Sequence, residues 1–169
     1  MVPERNNYAF IDSQNLNLGI KELCWKLDFR KFRIYLKEKY KISHAFLFIG
    51  FLPDNQDLYA SLQKAGYILI FKPTILDGEK KPKGNVDADL VLQAMIEYNN
   101  YQQAVIVTSD GDFYCLVKYL YERQKLAAVI SPYIRKCSKL LKKTAKEKIF
   151  FMDNLRNKLE YRPKRKSTV

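Results

Sequence analysis

The sequence predicts a single α/β domain in which helices cover both faces of a parallel sheet. Short, continuously apolar runs such as Phe46–Ile49 and Val105–Val107 alternate along the chain with longer segments of helical periodicity. Continuous rather than alternating hydrophobicity indicates strands that are buried on both faces, as the strands of a parallel sheet are. The length of 169 residues fits one domain of this kind.

The predicted elements follow one another as strands and helices from the N-terminus onward. The strands span Tyr8–Asp12, Ala45–Phe51, Tyr67–Phe71, Ala104–Thr108, Ala127–Ile130 and a shorter Ile149–Met152. The helices span Phe29–Tyr40, Asn55–Ala65, Val86–Tyr98, Gly111–Arg123, Ser138–Lys148 and Asn154–Leu159. Asp28 and Asp54 stand where N-cap residues are expected, and Gly66 stands where the preceding helix should end.

One segment between these elements has the composition of a loop. Residues Pro73–Gly84 contain two prolines and two glycines around a run of charged residues. This composition predicts a mobile loop. Its lysines, including Lys81 and Lys83, make it basic, and it leads directly into Asp87. We therefore expect a flexible basic arm beside Asp87.

Positive charge is concentrated at the C-terminal end of the chain. The net charge is +12, and residues 131–169 hold 13 Lys and Arg against 3 Asp and Glu. Such a block favours binding of nucleic acid or another polyanion, and a solvated helix face with a solubilising tail is the alternative. We expect residues 1–160 to form the domain and residues 161–169 to be a disordered basic tail.

Composition also allows predictions about the cellular compartment and about a zinc site. No apolar run approaches the roughly 18 residues of a membrane helix, and the N-terminus lacks the apolar core of a signal peptide. We therefore expect a cytoplasmic protein without a membrane partner. Three widely spaced cysteines are expected to be reduced thiols, and a single histidine, His44, argues against a zinc site. Monomer and homodimer both remain open.

Aspartates stand at the starts and ends of the predicted elements. Asp12 ends the first strand, Asp87 opens a helix, and Asp110 and Asp112 follow another buried strand. The carboxyl ends of parallel strands meet at one edge of a sheet, so we expect these carboxylates to converge. A lone aspartate at such a place would be read as a helix cap. Four aspartates from distant parts of the sequence are not readily explained as helix caps.

Helical geometry separates Asp87 from Asp89. Two residues apart on a helix, their side chains point about 200° apart. Asp87 shares a face with Leu90, Val91 and Ala94, which should pack on the sheet, so Asp87 is the predicted site residue. Asp89 is expected to support the site from outside or to lie on the surface.

Converging carboxylates must take up a proton or hold a cation. Two of them about 4 Å apart repel by roughly 4 kcal/mol at an effective dielectric constant near 20. Oxygen ligands favour magnesium or manganese. Ser109 and Thr108 could contact a phosphate or a cation-bound water, and a helix N-cap is an equally good interpretation of Ser109.

Three motifs in order make the sequence resemble the NYN domain family of PIN-like nucleases, which includes the LabA-like bacterial proteins. They are Phe10–Asn15 (FIDSQN), Lys83–Leu90 (KGNVDADL) and Thr108–Phe113 (TSDGDF), and Ser131–Leu141 adds a weaker likeness. The resemblance covers roughly Tyr8 to Tyr161. Ser13 and Gln14 depart from the glycine-containing pair that is common in the family, and the small residues around Asp110 are inverted. Every carboxylate of the pattern is kept.

The resemblance implies a three-layer α/β/α sandwich with a central, mainly parallel sheet. It implies hydrolysis of RNA phosphodiester bonds with Mg2+ or Mn2+, with RNA or other single-stranded nucleic acid as the partner. Asp12, Asp87, Asp110 and Asp112 would be the catalytic and metal-binding residues, and Asn15, Asp89 and Ser109 would support them. The RNA backbone would lie along Lys81, Lys83, Lys139, Lys142 and Lys143.

Two other classes of function are alternatives to a ribonuclease. The chain could be a PIN-like nucleic-acid-binding or regulatory module with little or no catalytic activity, although the complete carboxylates argue against this. An aspartate after the first strand is also found in phosphatases of the haloacid dehalogenase type. That chemistry needs a second aspartate two residues later, where this chain has Gln14.

Overall fold

The computed structural model describes residues 6–72, 75–76, 82–83 and 86–163, with backbone only for 75–76 and 82–83. The strands are β1 (Asn7–Asp12), β2 (Ile42–Gly50), β3 (Tyr67–Lys72), β4 (Ile75–Leu76), β5 (Pro82–Lys83), β6 (Ala104–Val107), β7 (Leu126–Ser131) and β8 (Ile149–Phe151). The helices are α1 (Ser13–Glu22), α2 (Phe29–Tyr40), α3 (Gln56–Lys64), α4 (Val86–Ile96), α5 (Tyr114–Glu122), α6 (Lys139–Ala145) and α7 (Arg156–Leu159).

Six strands of the described part form one parallel sheet in the order β3-β2-β1-β6-β7-β8. The predicted parallel sheet is therefore confirmed. The chain builds outward from β1 to β3, then returns to the other side of β1 and builds outward from β6 to β8. The carboxyl ends of β1 and β6 thus flank the point where the strand order reverses, which is where open α/β sheets bind their ligands.

Each face of the sheet carries its own buried core, so the architecture has three layers as predicted. Ile11, Leu47 and Val105 point to the face that is covered by α1, α2 and α7. Phe10 and Ile106 point to the opposite face, under α4, α5 and α6. Alternate residues of one strand enter different cores, and this explains why the strands read as continuously apolar.

The structure differs from the predicted elements at the helix starts. Helix α1 is absent from the predicted helices because Ser13–Asn17 is polar and has low helix propensity. Three of the predicted helices begin with a 3₁₀ turn, at Pro53–Asn55, Gly111–Phe113 and Asp153–Leu155. Gly66 does follow the end of α3, with a left-handed φ of 97°.

The structure describes only part of the predicted loop and only the first residues of the predicted tail. Within Pro73–Gly84, β4 and β5 pair antiparallel, so the segment contains a short hairpin that loop composition does not predict. Lys81 lies outside the described residues. The tail stays a prediction, because residues 164–169 also lie outside them. At its predicted start, the Tyr161 N–H still donates a hydrogen bond to the Lys26 carbonyl over 2.8 Å.

Candidate metal centre

Four aspartates meet at the carboxyl edge of the sheet between β1 and β6. Asp12 is the last residue of β1. Asp110 and Asp112 lie in the turn between β6 and α5, and Asp87 lies in the first turn of α4. Two neighbouring strands and one covering helix thus supply the carboxylates, as the strand-end pattern predicts.

Asp87, Asp110 and Asp112, which we call the carboxylate trio, each offer one oxygen, and these oxygens all lie within 4.8 Å of one another. Two oxygens that bind the same Mg2+ at about 2.1 Å are separated by about 3.0–4.2 Å. The oxygens of the trio therefore lie close to ligand distances. Three hard oxygen donors suit Mg2+ or Mn2+, so the donor set fits such a cation.

Asp12 is more buried than the trio, with 6% of its surface exposed. Oδ1 accepts a hydrogen bond from the Asn15 N–H over 3.1 Å, and Oδ2 accepts one from the Thr108 hydroxyl over 3.4 Å. Burial raises the pKa of this carboxyl; the Asn15 N–H opposes that change, and the charges of Asp87 and Asp110 add to it. A cation placed between these carboxylates would offset the same repulsion.

Hydrogen bonds tie the end of β1 to the end of β6 in both directions. The Asn15 side-chain oxygen accepts the Ser109 N–H over 2.7 Å. From the other strand, Thr108 donates to Asp12 and accepts the Asp110 N–H over 3.1 Å. Asn15 and Thr108 therefore hold the backbone that positions the carboxylates. For Thr108 the sequence predicted a contact with a phosphate or a cation-bound water, and it did not predict these hydrogen bonds between the strand ends.

The turn that carries Asp110 is shaped by a close approach of another loop. A Cβ placed on Gly111 would overlap the Ser138 side chain. The Ser138 N–H donates to the Ser109 carbonyl over 3.0 Å, so the start of α6 is fastened to this turn. Gly111 has no left-handed φ, so backbone freedom does not explain the glycine here. The packing against Ser138 requires a residue without a Cβ at this position.

A cavity of about 280 Å3 opens over the aspartates. Asp12, Asn15, Asp87 and Asp110 line it, and Leu18 of α1 adds an exposed apolar side chain. The lining also includes Gln14 and Val86. The sequence did not single out Leu18, because the segment Ser13–Glu22 was not predicted as a helix.

The remaining predicted residues whose side chains are described do not line this cavity, apart from those named above. Ser109 is buried, and its hydroxyl lies 2.8 Å from that of Ser131, so it supports the strand ends. Asp89 is exposed and is not among the residues that line the cavity. Lys139 and Lys143 are exposed on α6, whereas the Lys142 ammonium donates to the Ile134 carbonyl over 3.0 Å. The side chain of Lys83 is not described.

The fold and the carboxylates define a three-layer α/β/α protein of the PIN-like type, with an acidic centre at the switch point of the sheet. The chain belongs to the NYN domain family, whose model matches residues 8–153. This family is part of the PIN-like nuclease superfamily, and its nuclease domains generally act on RNA and use divalent metals. The predicted resemblance is therefore confirmed for most of the chain.

A solved structure supports the fold. A protein of unknown function from Vibrio parahaemolyticus RIMD 2210633 superposes with a TM-score of 0.75 at 20% sequence identity, over 94% of this chain and 99% of that one. At this identity the likeness concerns the fold alone.

Among proteins with curated annotation, none matches this chain significantly. In the described residues, no helix combines the length and apolarity that crossing a bilayer requires.

Proposed function

We propose that this protein is a metal-dependent ribonuclease that hydrolyses RNA phosphodiester bonds at Asp12, Asp87, Asp110 and Asp112. The observation that carries the proposal is the carboxylate trio, whose oxygens lie within 4.8 Å of one another at the switch point of an NYN fold. In the reaction, a water oxygen forms a new P–O bond while the ester P–O bond breaks. The proton from water ends on the leaving oxygen.

Different residues have different proposed roles in this reaction. The trio would hold Mg2+ or Mn2+, with Asp12 as a more buried fourth carboxylate. When bound, such a cation supplies activation of water and offsets charge on the scissile phosphate. Asn15, through the Ser109 N–H, keeps the two strand ends at a constant separation, so the carboxylates need little rearrangement at the moment of reaction.

RNA is the proposed substrate because the basic part of the chain adjoins the acidic centre. Helix α6 begins beside Gly111, which places the exposed Lys139 near the trio and Lys143 one turn further on. Lys81, Lys83 and Lys142 stay predicted RNA contacts, as does Asp89 as a supporting residue. The cytoplasm stays the expected compartment, since all three cysteines are free thiols.

The test is incubation of the purified chain with a mixed RNA pool, in Mn2+ or in EDTA. We expect cleavage with Mn2+ and none in EDTA, and Asp110→Asn should abolish cleavage while the protein keeps its fold. Asp57→Asn is the matched control, because Asp57 is exposed at the start of α3 and belongs to neither the trio nor the cavity. Undiminished cleavage by Asp110→Asn would overturn the assignment of the site.

A further inference from the structure

A second cavity, larger than the one over the aspartates, lies between α5 and α6 and measures about 830 Å3. We call it the α5–α6 groove. Tyr114 and Leu140, at the starts of the two helices, line one end, and Gln103 and Gln124 line the other. Helices that follow parallel strands begin at the carboxyl edge of the sheet. The groove therefore starts beside Asp112 and runs to the opposite edge.

The lining of the groove carries an excess of positive charge. Lys118, Lys143, Lys146 and Lys148 line it, against Glu122 and Glu147. Both carboxylates already have partners in the groove. Glu122 lies 3.9 Å from the Lys118 ammonium, and Glu147 accepts hydrogen bonds of 3.0 and 3.1 Å from the Tyr121 hydroxyl. Because four lysines outnumber two carboxylates, the groove keeps a net positive charge and attracts anions, whereas the neighbouring trio attracts cations.

The end of the groove nearest the trio exposes large apolar side chains. Tyr114 is 39% exposed and Leu140 is 45% exposed, whereas Leu116 and Leu120 of α5 and Leu141 of α6 are buried. Tyr114 lies two residues after Asp112. An exposed aromatic ring beside lysines is the usual means of holding single-stranded nucleic acid, since the ring stacks on a base while the cations contact phosphates.

We propose that the α5–α6 groove binds the single-stranded RNA segment that leads away from the scissile phosphate. The proposal rests on the proposed function, because it takes the aspartates as the point of cleavage. Helix α5 has nine residues and is about 13 Å long, so the groove is long enough for a short segment of single strand. Tyr114 stacks on the base nearest the trio, and Lys118, Lys143 and Lys146 contact successive phosphates.

The main test measures how the affinity for RNA depends on salt. The full chain is titrated in EDTA, where the proposed activity is off, against a fluorescent oligouridylate of eight nucleotides at 50–300 mM salt. For single strands the slope of log K against log salt is about −0.7 per phosphate contact. Changing Lys118, Lys143 and Lys146 together to Gln should therefore make the slope shallower by about 2.

A matched control removes the same charge elsewhere. Lys21, Lys37 and Lys64 are exposed on helices that cover the other face of the sheet, and their joint change to Gln should leave the slope within 0.5 of the wild-type value, roughly the size of one contact. Thermal melts establish that both triple variants are folded. Tyr114→Ala should weaken binding about 5- to 150-fold, the range for one lost stacking contact, and Tyr114→Phe should restore it.

The outcomes separate this proposal from the proposed function. An unchanged salt slope in the groove variant, in a protein that still cleaves RNA, overturns the groove and leaves the ribonuclease standing. A groove-dependent slope without cleavage of any RNA in Mn2+ supports the groove and overturns the ribonuclease. The groove proposal is also overturned if the two triple variants change the salt slope equally. Tighter binding of polyglutamate than of RNA would overturn it as well.

Discussion

Removal of one negative charge from the carboxylate trio is expected to stabilise the protein when no cation is bound. Asp110→Asn is the suitable change. Asp110 Oδ1 accepts the Asp112 N–H over 2.9 Å at the start of a helical turn, and asparagine serves this capping role as well as aspartate does. The substitution therefore removes charge while it keeps the local hydrogen bond.

The size of the effect follows from the distances. At 4.8 Å, the upper limit for separations within the trio, two unit charges repel by about 3.5 kcal/mol at an effective dielectric constant of 20 and by about 0.9 kcal/mol in water. Asp112 is exposed, so its repulsion of Asp110 lies near the lower value. With the further repulsion from Asp12, the free energy of unfolding should rise by about 1–3 kcal/mol. For a chain of this size, each kcal/mol raises Tm by about 2–4 °C.

The assay is thermal and urea unfolding of wild type and Asp110→Asn, in EDTA and across a Mn2+ titration. A cation that binds only the folded state stabilises it by about 2.7 kcal/mol at 100 times its Kd. The order of stability should therefore invert: the variant is the more stable protein in EDTA, and wild type is the more stable one in saturating Mn2+. Asp57→Asn should follow wild type in both conditions.

Two results would refute this reasoning. If Asp110→Asn is less stable than wild type in EDTA, repulsion within the trio does not dominate there. If wild type and variant gain the same stability from Mn2+, the cation binds elsewhere or does not use Asp110.

Three more predictions concern the packing around the site. Asn15→Ala should lower the free energy of unfolding by about 1–3 kcal/mol in urea melts, because the Ser109 N–H loses its acceptor; an unchanged midpoint would contradict this. Gly111→Ala should cost about 1–3 kcal/mol by overlap with Ser138, and added Ser138→Gly should recover part of it. Burial raises the pKa of Cys137, so a thiol reagent at pH 8 should modify the two exposed cysteines quickly and Cys137 only on unfolding.

The parts of the site that depend on regular geometry could be predicted from the sequence. Because parallel strands end at one edge, Asp12 and Asp110 had to be near each other once both strands were recognised. Because a helix turns about 100° per residue, Asp87 and Asp89 had to point apart, and the structure places Asp87 at the cavity and Asp89 in solvent.

The parts that depend on contacts between distant segments could not be predicted. The need for a glycine at position 111 arises from Ser138, which lies beyond two further elements of the chain. Lys142 and Lys143 are equivalent in a charge count, yet Lys142 is engaged by a backbone carbonyl while Lys143 faces the groove. The groove itself exists only because α5 and α6 pack beside each other.

The hydrogen bond from Ser109 to Asn15 spans 94 positions of the sequence, and this separation has a consequence for biosynthesis. At about 5–20 residues per second, the ribosome needs roughly 5–20 s to add the residues between them. During that interval the nascent chain carries Asp12 without the strand that completes the centre. A chain that has not finished pairing β1 with β6 would therefore lack the proposed activity.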